Sequence, residues 1–444
     1  MRRWLVITLF LFPAVAGAIP ADEARHLLVR TGFDANAEAV ARFKPISYEA
    51  AVRQLLDGVR REPMTAAPAW VNEPPPDPKQ LKSMDDSARK QMREETHQHA
   101  IALKAWWYRE MLETDSPLTE RLTLFWHNHF TSSVQKVKWP PYLYQQNLLL
   151  RRYALGNFGE MLHAVARDPA MLIYLDSQQN HRGKPNENFA RELLELFTLG
   201  QGHYTENDIK EAARAFTGWM VDRNKGTFTV NHRQHDDGEK VFLGRNGRFE
   251  GDDILDLLLA QPRTAEFITE KLWREFVSDT PDPQEVKRLA RILRDSHYEL
   301  RPLMYALLTT PAFRASANRG TLIKSPTELV IGTLRQFHVP ITDDRLIVRA
   351  GVALGQNLLD PPNVKGWPGG TAWITSSTLL ARYQALDRML RGAENGPRAM
   401  VAKDIDAETL KPLLLPIEPV NPPTAANGWA AVRGWVLDPV YQLK

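Results

Sequence analysis

The chain has 444 residues, with 56 Lys and Arg set against 53 Asp and Glu, a formal net charge of +3 and no cysteine. Basic and acidic residues are interleaved along it, which leaves no electrostatic footprint for a nucleic-acid partner. The absence of cysteine excludes disulfides, attachment of lipid at a lipobox and thiolate metal sites, so any divalent metal would have to be held by His, Asp or Glu.

Met1-Arg2-Arg3 precedes an apolar run from Trp4 to Val15, and Ala16-Gly17-Ala18 follows it. This is the order of a basic n-region, a short h-region and a small-residue cleavage site, so 1–18 reads as a secretory signal and 19–444 as one exported, periplasmic or secreted domain. The run falls short of the ~20 apolar residues that a membrane span needs. No later segment reaches that length, and no transmembrane segment is expected in the mature chain.

Ala21 to Gly32 is helical in pattern and closes on glycine, and Ser47 to Gly58 repeats the form. A proline-dense stretch over about 62–80 cannot be regular helix and is expected as an extended surface loop pinned by Trp70. Helix resumes near Asp86 and stops before Ser116-Pro117, where serine at the cap and proline in the first turn begin the next one. Helical periodicity then covers Pro141–Tyr153, Asn157–Arg167, Asn207–Thr217, Asp253–Leu259, Arg263–Val277, Gln284–Asp295, Arg301–Leu308, Thr327–Gln336 and Arg345–Leu354. Between Gly226 and Gly244, T-F-T-V-N and K-V-F-L-G flank H-R-Q-H-D-D-G-E, which predicts a β-hairpin with a long polar tip. The tail from about 404 to 444 is again rich in proline. The expected fold is mainly α: one large multi-helical domain with a small β-hairpin insertion and structured Pro/Gly-rich loops.

Four constellations could carry chemistry. In L-F-W-H-N-H-F, His127 and His129 lie about 160° apart on a helix and could share a metal only if the chain loosened there. His129 continues an apolar stripe and reads as a buried histidine bonded to backbone; His127 is the better site candidate, with Asn128 beside it. N-E-N-F-A-R-E-L-L-E-L-F-T-L-G places Asn188, Arg191, Glu192 and Glu195 opposite an apolar stripe, which is either a reactive face or a solvated row of Arg–Glu pairs. Directly after it, Thr205 and Asp208 form a capping-box pattern, with Tyr204 expected to pack. H-D-D-G-E-K presents His235, Asp236 and Lys240 on the expected hairpin tip, where a plain polar turn is the competing reading. The Asn363–Trp373 loop offers three glycines and the flat surface of Trp367, but lacks the strand, helix and G-K-[ST] ending of a phosphate loop.

Together, W-H-N-H-F-T-S-S at Trp126–Ser133, the tetrad helix at Asn186–Gly200, Y-T-E-N-D-I-K-E-A-A-R-A-F-T-G-W at Tyr204–Trp219, H-D-D-G-E-K-V-F-L-G at His235–Gly244 and P-P-N-V-K-G-W-P-G-G-T-A-W-I at Pro361–Ile374 resemble the DUF1800 family. The resemblance implies a largely helical, usually exported protein, often encoded beside a second exported family similar to the sulfatase and phosphatase superfamily. It implies no reaction. Some members carry histidine where Phe197 stands here, so a metal site that uses this position is in doubt for this chain. The expected function is a hydrolase of a cell-envelope or polysaccharide-type substrate with a His/carboxylate site that could bind a divalent metal. His127, Glu192, Glu195, His235 and Asp236 would be its catalytic candidates, and Asn128, Asn188, Arg191, Lys240 and Trp367 its ligand-binding ones, with His127, Glu192, Glu195 and His235 expected around one cavity within roughly 12 Å of one another. The alternative is a binding protein or an accessory partner of an exported, sulfatase-like protein.

Overall fold

Short helices set against one another by their caps build most of the chain. The structure is a computed structural model and describes residues 17–222, 224–394, 407–424 and 428–444, so most of the expected signal lies outside the described residues. Asn36, Ser47, Asp85, Asn157, Asp168, Thr205, Asp282 and Ser325 each accept a backbone N–H at a helix start, which fixes where the helices begin. The capping box predicted at Thr205 and Asp208 is present. Among the described residues no helix is long and apolar enough to cross a membrane.

The longest helix, Asp86–Glu113, is exposed over its first half and buried over its second, where Trp106, Trp107, Tyr108 and Met111 enter the core. The proline-dense stretch is not all extended loop as expected, since it holds a 3-10 turn at Ala69–Asn72 and starts a short helix at Pro78–Ser83, where proline sits in the first turn; it is tied to the long helix at two points. Trp70 stacks on His99 with ring centroids 4.4 Å apart, and the buried Glu110 carboxylate accepts hydrogen bonds from the Met64 and Thr65 backbone and from the Thr65 hydroxyl. Beneath, helix Pro117–His129 drives Trp126 and Phe130 against Phe158 and Phe197, and the indole of Trp126 donates to the Ala154 carbonyl at 3.0 Å. Fully burying side chains of this size stabilises the fold by roughly 1.5–3 kcal/mol each.

The mainly α architecture holds, with small hairpins where β structure was expected, but the pairing differs. β1 (Trp219–Val221) pairs antiparallel with β2 (Phe228–Val230), and β3 (Lys240–Phe242) with β4 (Arg245–Gly247). The two β-rich runs therefore each pair outward instead of with one another. The physical reason lies between them: Asn231 caps a short 3-10 turn at His232–Gln234, and His235 and Asp236 then bond to the preceding helix, so the segment is no free tip.

The proline-rich tail also contains more order than its composition announces. Helices Ala407–Leu414 and Gly428–Leu437 bring Leu414, Val432, Trp435 and Val436 onto Leu329, Leu386 and Leu390, forming a second apolar cluster. Within this tail, residues 404–406 and 425–427 lie outside the described residues. Leu443 then pairs with Ile323 in a β-bridge, which carries Lys444 into the interior.

Candidate functional site

Two motifs distant in sequence are tied together in space. Helix Pro117–His129 runs unbroken through W-H-N-H, and its continuation Thr131–Ser133 meets the loop that begins at Asn357. Val134 N–H donates to the Leu359 carbonyl, and Ser133 Oγ to Asp360 at 2.7 Å. Asn128 then pairs with the backbone of Trp367 on both sides: its Oδ1 accepts the Trp367 N–H at 2.7 Å and its Nδ2 donates to the Trp367 carbonyl. Asn128, expected to bind ligand, is thus committed to holding the Trp367 loop.

The helix geometry separates the two histidines, as the sequence spacing implies. His127 is 2 % exposed, edge-on to Trp107 and packed against Trp367, with Nε2 unpartnered. Burial pushes its imidazole down to about 4, which leaves it neutral at physiological pH. His129 bonds through Nε2 to the Phe197 carbonyl at 3.2 Å, the backbone contact expected of it. Since Nε2 must carry the proton in that bond, Nδ1 accepts, and Lys271 Nζ donates to it at 3.0 Å. Phe197 itself packs its ring on His129 and Phe130.

The tetrad helix has an irregularity the sequence does not reveal. Asn188–Glu192 is α-helical, but Leu193–Thr198 is a π-helical turn, a form that occurs mostly as an insertion and often at functional sites. The turn leaves the Leu196 and Phe197 carbonyls to Lys271 and His129. Glu195 accepts from Gln201 at 2.7 Å and from the Tyr204 hydroxyl at 3.1 Å, with Lys365 Nζ 3.9 Å away. Tyr204, expected only to pack, is pushed up to about 12 by burial and by Glu195. Glu192 is half-buried and has no hydrogen bond or ion pair among the described residues; burial, then the Glu195 charge, raise its pKa above the ordinary glutamate value. Arg191 is spent on ion pairs to Glu187 and Glu206, the solvated row weighed against function, and Asn188 makes a long bond to Asp176.

His235, Asp236 and Lys240 belong to a different cluster. His235 Nδ1 bonds to the Thr217 carbonyl, and the Asp236 carboxylate accepts from Arg214 and the Gly238 N–H. Those contacts, the Arg214 bond foremost, hold Asp236 down at about 2. Lys240 donates to the Asp236 and Gly238 carbonyls. The motif is internally satisfied and secures β3 to helix Glu206–Ala215.

A cavity of about 360 Å³ opens beside the Trp367 loop. Asn128 and Trp367 line it; His127, Glu192, Glu195, His235 and Asp236 do not, so the expected catalytic candidates do not meet in this cavity. Its polar wall comes from residues that sequence reasoning passed over: Arg121, Lys271, Arg274, Lys365 and Lys444, with Glu275, Asp279 and Glu328. Only Lys365 stood inside a motif. A wider groove of about 830 Å³ between helices Asp86–Glu113 and Arg345–Ala353 holds none of the expected site residues. Among the described residues no group of three or more His, Asp or Glu is placed to hold a metal ion.

This is a helical scaffold whose motifs secure one loop beside a charged cavity. The model of DUF1800, a protein family of unknown function, matches residues 26–437, and the chain belongs to that family. No curated protein and no solved structure matches the chain.

Proposed function

We propose that the protein is an exported hydrolase of a cell-envelope or polysaccharide-type substrate, with Glu192 as proton donor and Glu195 as the carboxylate that takes the proton of water. The observation that supports this reading is the contrast between two carboxylates three residues apart on one helix. Glu192 makes no hydrogen bond or ion pair among the described residues and is kept protonated to higher pH by burial and by Glu195, against the weaker pull of Lys365 and Arg191, whereas Glu195 accepts from Gln201 and Tyr204 and has Lys365 nearby. Carboxylates whose environments differ in this way divide into acid and base. His127 serves behind them as packing for Trp367, and the His235 cluster as structure. Lys365 joins the pair to the cavity, since it approaches Glu195 and lines the cavity wall.

The test is release of reducing ends from isolated envelope polysaccharide. Glu192→Gln and Glu195→Gln are each expected to lower the rate about 10²–10⁴-fold with unchanged circular dichroism. The wild-type rate should fall on the alkaline side as Glu192 ionises, with a midpoint above the ordinary glutamate value of 4.5. Full activity in both variants would overturn the reading. If wild type releases nothing, yet a second exported, sulfatase-like protein is retained on it, the accessory-partner reading takes its place.

Export is part of the same proposal. Cleavage after Ala18 is expected, and Ile19, the next residue, is buried and donates its N–H to the Ile46 carbonyl. N-terminal sequencing of the exported protein should begin at or near Ile19; an intact Met1 on soluble material would refute processing.

A further inference from the structure

We propose that the cavity beside the Trp367 loop is a binding site for an oxyanion, a carboxylate or phosphate group, held by Lys271 and Arg274. The assignment of that group to an acidic saccharide substrate rests on the hydrolase reading above; the anion site itself does not.

Five cationic side chains and three carboxylates line the cavity, and they are unevenly matched. Arg121 and Lys444 are buried and paired with Glu328, with Glu275 close to both. That accounts for two of the cations. Lys271 has no carboxylate partner: its amine donates to His129 Nδ1 and the Leu196 carbonyl and lies over the Phe267 ring. Residue Lys271 is partly exposed along its length, but its amine is desolvated, and burial followed by Arg274 pushes it down to about 8. It is therefore mostly charged at neutral pH, without a counter-charge in contact. Arg274 reaches a carboxylate only at 3.9 Å, Glu270, and is exposed.

A purely structural reading would make Lys271 a cap for the π-helical turn, where its ammonium meets the Leu196 carbonyl and also donates to His129 Nδ1. That role employs two of the three ammonium donors. It does not explain the adjacent Arg274 in the same cavity. An oxyanion satisfies both cations and removes the cost of a desolvated, unpaired one.

The probes are glucuronate, inorganic phosphate and, as the uncharged control, glucose, with binding read by titration calorimetry on the exported protein. Glucuronate or phosphate should bind and glucose should not, and affinity should weaken with added salt and above about pH 8 as Lys271 deprotonates. Preference for glucuronate would point to a sugar acid as the source, and preference for phosphate to a phosphorylated group. Lys271→Met and Arg274→Met should each weaken binding about tenfold or more. Arg274→Met at an exposed position keeps the test valid if Lys271→Met does not fold. Glu192→Gln should bind the anion like wild type, which separates failure of this site from failure of the hydrolase reading. The proposal is overturned if wild type binds neither anion at millimolar concentration, or if Arg274→Met binds them unchanged.

Discussion

Glu328→Gln is expected to destabilise the protein by about 3–5 kcal/mol, the cost of removing one partner from a buried ion pair. Glu328 stands at the third position of helix Pro326–Gln336, where its carboxylate accepts the Ser325 N–H in a capping box. Glutamine can keep that bond, so the loss does not come from the cap, which would account for only about 1 kcal/mol. It comes from Arg121 and Lys444, both buried and both paired with this carboxylate, which would face the half-buried Glu275 alone. Burial by itself would raise the Glu328 pKa, but Arg121 and Lys444 reverse that and hold it low. With the folded value below the unfolded one, the contribution is complete above the ordinary glutamate value of 4.5 and is lost as the pH falls through the lowered folded value. Urea denaturation should therefore show wild type losing stability toward acid pH, with a flatter profile in Glu328→Gln. A loss under 1 kcal/mol at neutral pH would mean that Glu275 suffices and that the network is not centred on Glu328. Replacing Arg121, Glu328 and Lys444 together by apolar residues of similar volume should cost less than the single change, since only the half-buried Glu275 then loses its partners and no fully buried charge is stranded.

Much of the helical scaffold was legible because its signals are local. Ser47, Asn157 and Thr205 mark helix starts through bonds to residues three positions away, and such bonds do not depend on the rest of the fold. Tertiary pairing was not legible in the same way. The run at Phe228–Val230 looks ready to pair with Lys240–Phe242, yet β1 offers it a partner on the other side, and nothing in the alternation of residues distinguishes the two. H-D-D-G-E-K looked like an exposed cluster because its neutralising partner, Arg214, comes from the preceding helix. The cavity was invisible for the same reason: Arg121, Lys271, Glu328 and Lys444 each sit in an ordinary amphipathic or terminal context and meet only in the folded chain. Asn128 and Trp367, which line the cavity, stood out in their motifs, and the proposed acid–base pair Glu192 and Glu195 could be picked out because both lie on one helical face. Even there, the π turn that frees the Leu196 carbonyl for Lys271 leaves no mark in residue type.

Gly366→Ala is expected to weaken anion binding and lower polysaccharide hydrolysis together, while leaving a folded protein. Gly366 has φ +80°, a conformation that costs an L side chain roughly 1–2 kcal/mol. Space is the stronger constraint. A Cβ there would lie 2.2 Å from Asn128 Oδ1 and 2.7 Å from the Asn128 carbonyl oxygen, inside any tolerable contact. Either the loop or the end of helix Pro117–His129 must move, and the helix is locked in the aromatic core by Trp126 and Phe130. The loop therefore yields, and the Asn128–Trp367 bonds break with it. Lys365 and Trp367 both leave the cavity wall, and Lys365 leaves Glu195. Asn128→Ala removes the same bonds without introducing a clash and should be milder, at about 1–3 kcal/mol for the backbone groups left unpaired. In the double variant the closest clash is gone, although the Asn128 carbonyl remains, so the two changes should be less than additive by about 0.5–3 kcal/mol in chemical denaturation. Additive losses, or a Gly366→Ala protein that binds anion as wild type does, would show that the loop is not held through Asn128 and that its position does not govern the site.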